Sequence, residues 1–235
     1  MTYSEKAKAV EALQSHINTT FPATSAITVT DQLLLSYLDD TSGSGISEAE
    51  RLIMLAFTLW GLKREIEGGW SGISKIFKSA RAQEPENFGI LASWTAMALQ
   101  FGITETHTTD YDLRIMAADD TEDMLKEEQS SDPDNYWLAQ MLGLLYLNHP
   151  RRRKESQSTL ETAERWLRKA EALDREGDQT VKMHLADCLY EQARWQEAAA
   201  QYRSINRNEL AEMADGATAA RVQSRIDECE EKTSN

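Results

Sequence analysis

The stretch MLAFTLWGLKREIEGGWSGISKIFKSARAQEPEN, residues 54–87, carries two apolar patterns of helical spacing in succession. In the first half, the large pair Phe57 and Trp60 is followed directly by Gly61. In the second half, three apolar residues fall on one helical face, because positions three and four apart lie together on an α-helix: Ile73, Phe77 and Ala80. The stretch therefore predicts two consecutive helices that form a hairpin.

The outline of the second helix recurs at ARWQEAAAQYRSI, which begins at Ala193. Superposing the two segments places Trp70 on Trp195 and Phe77 on Tyr202. Two further segments fit the same template, the second of them more weakly: Leu160, Ala163, Leu167 and Ala170, then Ala118, Thr121, Leu125 and Pro133. Four related helices spread along one chain indicate an internal repeat.

A second helical pattern precedes the repeated one. In LAQMLGLLYL, Leu142 and Gly143 stand where Trp60 and Gly61 stand in the first unit, and Tyr146 follows three residues later. A single small residue among large apolar ones predicts a point where two helices approach closely. Each pair is thus expected to form a helical hairpin.

These motifs resemble those of the tetratricopeptide repeat (TPR) family, whose 34-residue unit has an aromatic residue, Leu-Gly and Tyr on its first helix. Its second helix carries Ala, an aromatic residue and a closing Pro. Residues 54–87 match best, with Phe77, Ala80 and Pro85 in place. Three further units begin near residues 88, 136 and 179; the first two hold insertions of about 14 and about 8 residues, and the last two lack the closing Pro.

The resemblance implies an all-α protein, a TPR-like α-solenoid of antiparallel helix pairs with helical caps at both ends. We expect residues 1–45 to form an N-terminal helical cap and linker, 46–212 the repeats, and 213–235 a C-terminal capping helix and tail. End repeats of such arrays otherwise expose an apolar face.

Several local signals support the caps. Residues 4–17 and 31–38 have helical patterns on either side of a Pro22-containing loop whose SAITVT sequence also fits a strand fragment. The spacing of Ser47 and Glu50 predicts a capping box at the start of the next helix. Residues 217–231 form a terminal helix in this interpretation, with three residues facing inward: Ala220, Val222 and Ile226.

Charge and hydropathy exclude some classes of function. The formal net charge of -14 disfavours binding to duplex nucleic acid, which requires a surplus of Lys and Arg. The N-terminal sequence MTYSEKAKAV does not resemble a signal peptide, and the longest apolar run, residues 52–60, is about half a membrane span. We therefore expect a cytoplasmic protein that does not insert directly into membranes.

Charged residues of one sign are concentrated in two segments of the chain. Residues 105–135 include eleven acidic and two basic residues. This acidic segment is either a site for a basic partner or a solvated acidic face. The run Arg151–Lys154 has four cations in the insertion of the third unit. It is interpreted as a solvated loop, as an intramolecular or subunit contact with the acidic segment, or as an anion site.

The sequence does not contain a recognisable catalytic or metal-binding constellation. The four histidines lack the spacing of a zinc site, and the turn SDPDN at residues 131–135 lacks the Gly and Glu of a calcium loop and is expected to cap the next helix. The two cysteines, Cys188 and Cys229, are interpreted as unpaired thiols. Neither enzymatic activity nor a cofactor nor a metal is expected.

In TPR proteins the first helix of each unit lines a concave groove, and the resemblance implies the same here. The apolar residues expected to contact a partner are Leu55, Leu62, Trp137, Leu144, Leu147, Met183 and Tyr190. An apolar groove is suited to an amphipathic helix or an extended apolar segment. That segment belongs to another protein or to the chain's own residues 4–17; alternatively, the apolar stripe is core.

The predicted function is a protein–protein interaction scaffold or adaptor that binds a partner through an amphipathic or basic segment, without catalysis. The alternative is a constitutive structural subunit of a larger assembly or a self-associating oligomer, in which the groove and caps are permanently occupied.

Overall fold

A computed structural model describes residues 3–21, 27–61, 66, 69–103, 111–174, 176–213 and 216–234. Over these ranges the chain forms helices α1 (Tyr3–Thr20), α2 (Asp31–Asp40), α3 (Glu48–Gly61), α4 (Trp70–Gln83), α5 (Phe88–Ile103), α6 (Tyr111–Ser131), α7 (Tyr136–Leu147), α8 (Ser156–Leu173), α9 (Gln179–Glu191), α10 (Trp195–Arg203), α11 (Arg207–Met213) and α12 (Gly216–Ser234). The described residues contain no strand beyond an isolated bridge between Ile27 and Ile66. The predicted all-α class is confirmed, and none of the described helices is long and apolar enough to cross a membrane.

The chain divides into two compact units, residues 1–121 and 122–235, with the boundary inside α6. The predicted boundaries at residues 45 and 212 are of a different kind, since they separate caps from repeats, and they stay a prediction.

In the first unit, the N-terminal helices pack against α3. Leu13 and Ile17 of α1 are buried, and the Tyr37 hydroxyl of α2 donates to the backbone oxygen of Arg51 at 3.1 Å. The buried Arg51 guanidinium donates in return to the backbone oxygen of Leu38 at 2.6 Å. The N-terminal segment is therefore fixed to α3 by apolar burial and by hydrogen bonds in both directions.

The α3–α4 hairpin forms where residues 54–87 predict it. Ser47 Oγ accepts a hydrogen bond from the Glu50 backbone N–H at 3.2 Å, which confirms the predicted cap of α3. The face of α4 that carries Ile73, Phe77 and Ala80 is completely buried. Phe77 stacks on Trp94 of α5 with ring centroids 5.7 Å apart, so the repeated aromatic position is a core position.

In the second unit, the α7–α8 hairpin depends on the absence of a side chain at residue 143. A Cβ atom built on Gly143 would lie 2.6 Å from Leu167 Cγ and 3.2 Å from the Leu167 backbone nitrogen. Real Cβ atoms essentially never come as close as the first of these distances. The close approach predicted from the Leu-Gly motif is confirmed.

The C-terminal helix α12 packs on α10 and α11 and completes the core of the second unit. Val222, Ile226 and Cys229 of α12 are buried with Leu189 and Tyr202. The expectation that Ala220 also faces inward was wrong, since Ala220 is exposed. The buried stripe follows the three- and four-residue spacing of Val222, Ile226 and Cys229, which turns Ala220 to the opposite side.

We expect Gly143→Ala to lower the free energy of unfolding by about 1–3 kcal/mol, the usual cost of overpacking. The direction of this change in unfolding free energy is informative, because helix propensity alone favours Ala over Gly by about 1 kcal/mol and would stabilise the variant. Gly43→Ala is the matched control, since a Cβ there would meet nothing within 4 Å. Denaturant unfolding followed by circular dichroism measures both; a stabilised Gly143→Ala protein would contradict the close contact.

Candidate protein-binding surfaces

The residues predicted to line a groove differ widely in exposure. Leu55, Leu147 and Met183 are buried, Leu144 and Tyr190 are partly buried, and the Trp137 side chain is 50% exposed. Leu62 lies outside the described residues. Their role in partner binding stays a prediction. The buried members support packing, and Trp137 is the member that offers a large apolar area to a partner.

The predicted binding face of α9 is covered by α12. Arg221 of α12 donates to Asp187 at 3.0 Å, and the Arg225 guanidinium lies 4.1 Å from the ring centroid of Tyr190. The Tyr190 hydroxyl donates to Glu228 at 2.8 Å. Side chains of α12, a helix of the same chain, therefore contact Met183 and Tyr190, two of the residues that were predicted to contact a partner.

An aromatic pair on α9 and α10 receives two cations from α12. Tyr190 and Trp195 meet edge to face with centroids 4.9 Å apart. Lys232 Nζ lies 4.2 Å from the Trp195 ring centroid and 5.1 Å from that of Tyr190. Cations over aromatic faces are attracted by the ring quadrupole, so these contacts add specificity to the apolar packing of α12.

The start of α7 presents the most exposed aromatic side chain among the described residues. Asn135 caps the helix by accepting a hydrogen bond from the Leu138 backbone N–H at 3.3 Å, as predicted for the SDPDN turn. The cap holds Tyr136 and Trp137 in the first turn, with ring centroids 5.2 Å apart. Leu144, two turns further along α7, lies on the same side as Trp137 and is partly exposed. We call Trp137 and Leu144 the α7 surface.

Next to this surface is a cavity of about 490 Å³ with an acidic rim. The described residues that line it, which we call the acidic notch, are Asp134, Tyr136, Ala172, Leu173, Asp174 and Glu176. Burial raises the pKa of the Tyr136 hydroxyl, and the negative charges of Asp178, Asp174 and Glu176 raise it further. Two apolar side chains, a tyrosine ring and three carboxylates thus line the notch together.

In the first unit, a groove of about 540 Å³ lies along α4 and the first half of α6. One carboxylate organises it: Asp120 accepts hydrogen bonds from Ser74 at 2.5 Å, Lys78 at 2.8 Å and the Trp70 indole at 3.1 Å. Burial opposes ionisation of Asp120, but the hydrogen bonds and the Lys78 charge outweigh it and lower its pKa. This network fixes α6 to α4.

The two charged segments are used partly inside the molecule. Besides Asp120, the acidic segment contributes Glu122, which pairs with Lys126 and accepts from the Tyr146 hydroxyl. In the basic run, Arg152 pairs with Glu191 of α9 and donates to the Leu147 backbone oxygen at 3.0 Å. Arg152 therefore supports the α7–α8 connection through an intramolecular contact, but its partner Glu191 lies outside the acidic segment 105–135 that was predicted as the contact.

Both cysteines are free and buried. Burial raises the pKa of the Cys188 thiol to about 11, which keeps it protonated at neutral pH. This position fits the predicted structural role, because the thiolate is the reactive form of cysteine.

Comparison with known proteins gives limited information. No protein-family model matches the chain, and no curated protein matches it. Among solved structures, MamA 41-end from Desulfovibrio magneticus RS-1 is 16% identical with a TM-score of 0.39, over 98% of each chain. A MamA RS-1 double mutant has the same identity and TM-score over 97% of this chain and 96% of that one. Similarity at this level identifies neither a family nor an activity.

Sequence reasoning missed the acidic notch and the Asp120 network. Both bring together residues that are far apart in the chain: Tyr136 with Asp174, and Trp70 with Asp120. The sequence does contain a signal for the notch, since Asp134 precedes an aromatic pair and Asp174 and Glu176 follow the next helix of the same predicted hairpin. In an antiparallel hairpin, residues at the start of the first helix and residues at the end of the second helix lie at the same end of the hairpin.

We expect Tyr190 of α9 and Trp137 of α7 to differ in their contribution to the free energy of unfolding. Tyr190→Ala removes the contacts with Trp195 and Arg225 and should lower the free energy of unfolding by about 1–3 kcal/mol. Trp137→Ala removes a half-exposed ring and should change it by less than about 1 kcal/mol. Thermal and urea unfolding test this contrast; a larger loss for Trp137→Ala would mean that Trp137 is structural.

Asp120→Asn should destabilise the chain by about 1–2 kcal/mol at neutral pH through loss of charged hydrogen bonds. Because the folded pKa of Asp120 is lowered, its contribution is complete above the unfolded value of about 3.9 and is lost as pH falls through the folded value. The difference between wild type and variant should therefore shrink below about pH 4. Urea unfolding from pH 7 to 3 measures it, with the exposed Asp123→Asn as control; a constant difference would contradict the role of this carboxylate.

Proposed function

We propose that this chain is a protein-interaction scaffold that binds a partner protein at the α7 surface, without catalysis. The observation that carries the proposal is the 50% exposure of Trp137 on a helix whose opposite side is core. Tryptophan is strongly enriched among the residues that dominate binding energy at protein interfaces.

The covered state of other predicted surfaces supports this choice. The N-terminal helices pack on α3, and α12 covers the face of α9 around Tyr190. A partner of the molecule as described would reach Trp137 and Leu144 without displacing a helix of its own unit. The α7 surface is therefore the part of the predicted groove that is best suited to an external protein.

The α9–α12 contact also indicates the chemistry of a partner. There the chain binds an amphipathic helix whose apolar side is Val222, Ile226 and Cys229 and whose cations stack on aromatic rings. The α7 surface combines an exposed aromatic residue with nearby carboxylates. An amphipathic segment with basic residues is thus the partner type that fits it.

The test is affinity capture from native cell extract with the full chain as bait, followed by mass spectrometry and measurement of affinity for the recovered partner. Trp137→Ala should weaken binding at least about tenfold, as expected for a central aromatic anchor. Phe88→Ala is the matched control, because it removes another exposed aromatic side chain, 41% exposed, from the first unit.

Equal binding by wild type, Trp137→Ala and Phe88→Ala would contradict the proposal. Light scattering on the same proteins tests the alternative of self-association. If the wild type is an oligomer that Trp137→Ala converts into a monomer, the partner of the α7 surface is a second copy of the chain.

A further inference from the structure

We propose that the groove along α4, which we call the α4 groove, is a docking site for an amphipathic helix of a partner protein that presents acidic side chains. The site lies in the first unit and goes beyond the proposed function, which concerns the α7 surface of the second unit. The shape of the groove, its exposed apolar residues and its charge each support this occupant.

The α4 groove has the dimensions of a seat for a helix. The residues of α4 that line it recur at three- and four-residue spacing and are small apart from two lysines: Ser71, Ser74, Lys75, Lys78, Ser79 and Ala82. Ser71 and Ala82 are three helical turns apart, a distance of about 16 Å. Because small side chains on one face allow a second helix to approach closely, the groove accommodates a partner helix over this length.

Large apolar side chains are exposed at the edges of the α4 groove. Met116 of α6 lines the groove and is exposed. Leu35 of α2 is also exposed, and it follows the groove residue Asp31 by one helical turn, on the same face of α2. A helix that docks in a groove buries apolar side chains of this kind against its own apolar face. The occupant therefore requires an apolar face.

The charge of α4 favours acidic side chains on the occupant. Residues 70–83 contain three basic residues and no acidic residue, in a chain whose formal net charge is -14. Two of the three, Lys75 and Lys78, line the groove and lie three residues apart on one face of α4. A partner helix with glutamates at three- or four-residue spacing presents its carboxylates at matching intervals along the groove.

The intramolecular contacts of the two lysines leave room for a partner carboxylate. Lys75 Nζ lies 3.0 Å from a carboxylate oxygen of Asp31, whose side chain is 83% exposed, and such a surface ion pair contributes little to stability. Lys78 Nζ donates to Asp120 at 2.8 Å. Each of these contacts uses one of the three N–H donors of an ammonium group. A partner carboxylate can therefore bind both lysines while the Asp120 network stays in place.

The mixed lining of the α4 groove disfavours other classes of ligand. A small inorganic anion would gain nothing from Met116 and Ala82. A nucleic-acid backbone would meet the carboxylates of Asp31 and Asp120 as well as the negative net charge of the chain. A helix with one apolar face and flanking carboxylates uses both kinds of lining residue.

The inference is tested by NMR titration of the full chain, labelled at its Met and Ala methyl groups, with synthetic helical peptides about four turns long. The first peptide is alanine-based, with leucines on one face and glutamates on both sides of them, and the second has glutamine at every glutamate. The glutamate peptide should shift the methyl resonances of Met116 and Ala82. The glutamine peptide should bind at least about threefold more weakly, because it lacks the charges that pair with the lysines.

Lys75→Glu should weaken binding of the glutamate peptide about three- to tenfold and strengthen binding of a third peptide that has lysine at the same positions. Lys8→Glu is the matched control, because it makes the same change of charge at an exposed residue of α1 that is not among the described residues lining the groove. Met116→Ala should weaken the glutamate and glutamine peptides by the same factor, since it removes apolar contact and no charge.

Three outcomes of the titration would overturn the inference: equal binding of the glutamate and glutamine peptides, equal loss in Lys75→Glu and Lys8→Glu, or peptide-induced shifts that leave out Met116 and Ala82. Light scattering adds a fourth. If the wild type is an oligomer that Lys75→Glu converts into a monomer, the occupant is a second copy of the chain and the inference is wrong. Trp137→Ala should leave peptide binding unchanged, so failure at the α4 groove is distinguishable from failure at the α7 surface.

Discussion

The contact between Gly143 and Leu167 is the constraint on which the second unit depends. Because residue 143 has no side chain, α7 and α8 approach until the Leu167 backbone lies against α7. In an antiparallel pair held at this register, the first turn of α7 and the last turn of α8 lie at the same end. Tyr136 therefore lines the same cavity as Leu173 and Asp174, and one close contact in the core determines the shape of a surface.

The helices outside the repeats decide which part of the predicted groove is accessible. In the first unit, α1, α2 and α4 pack on α3, and Leu55 of α3 is completely buried. In the second unit, α12 covers Tyr190 and Met183 through Arg225 and Arg221. Caps that protect apolar faces from water also remove those faces from binding. The start of α7, by contrast, leaves Trp137 half exposed among the residues that the structure describes.

Local patterns in the sequence predicted most of the fold. The three- and four-residue spacing of Ile73, Phe77 and Ala80 identifies a buried helical face, because that spacing directly determines which side chains point together. The Leu-Gly motif likewise predicts a close contact. The burial of Met183 could not be predicted this way, since it depends on the packing of α12, a helix that begins more than 30 residues later in the chain. The notch and the Asp120 network depend on equally distant contacts.

Site-specific photo-crosslinking most directly tests whether the α7 surface contacts a partner. A benzophenone amino acid is placed at position 137, at position 88 on α5, or at position 195 beneath α12, and each protein is irradiated in native extract. We expect a crosslinked partner from position 137, none from position 88, and intramolecular crosslinks to α12 from position 195. Crosslinks to the same partner from position 195 but not from 137 would contradict it, because α12 would then leave α9 and the predicted groove would be the binding site.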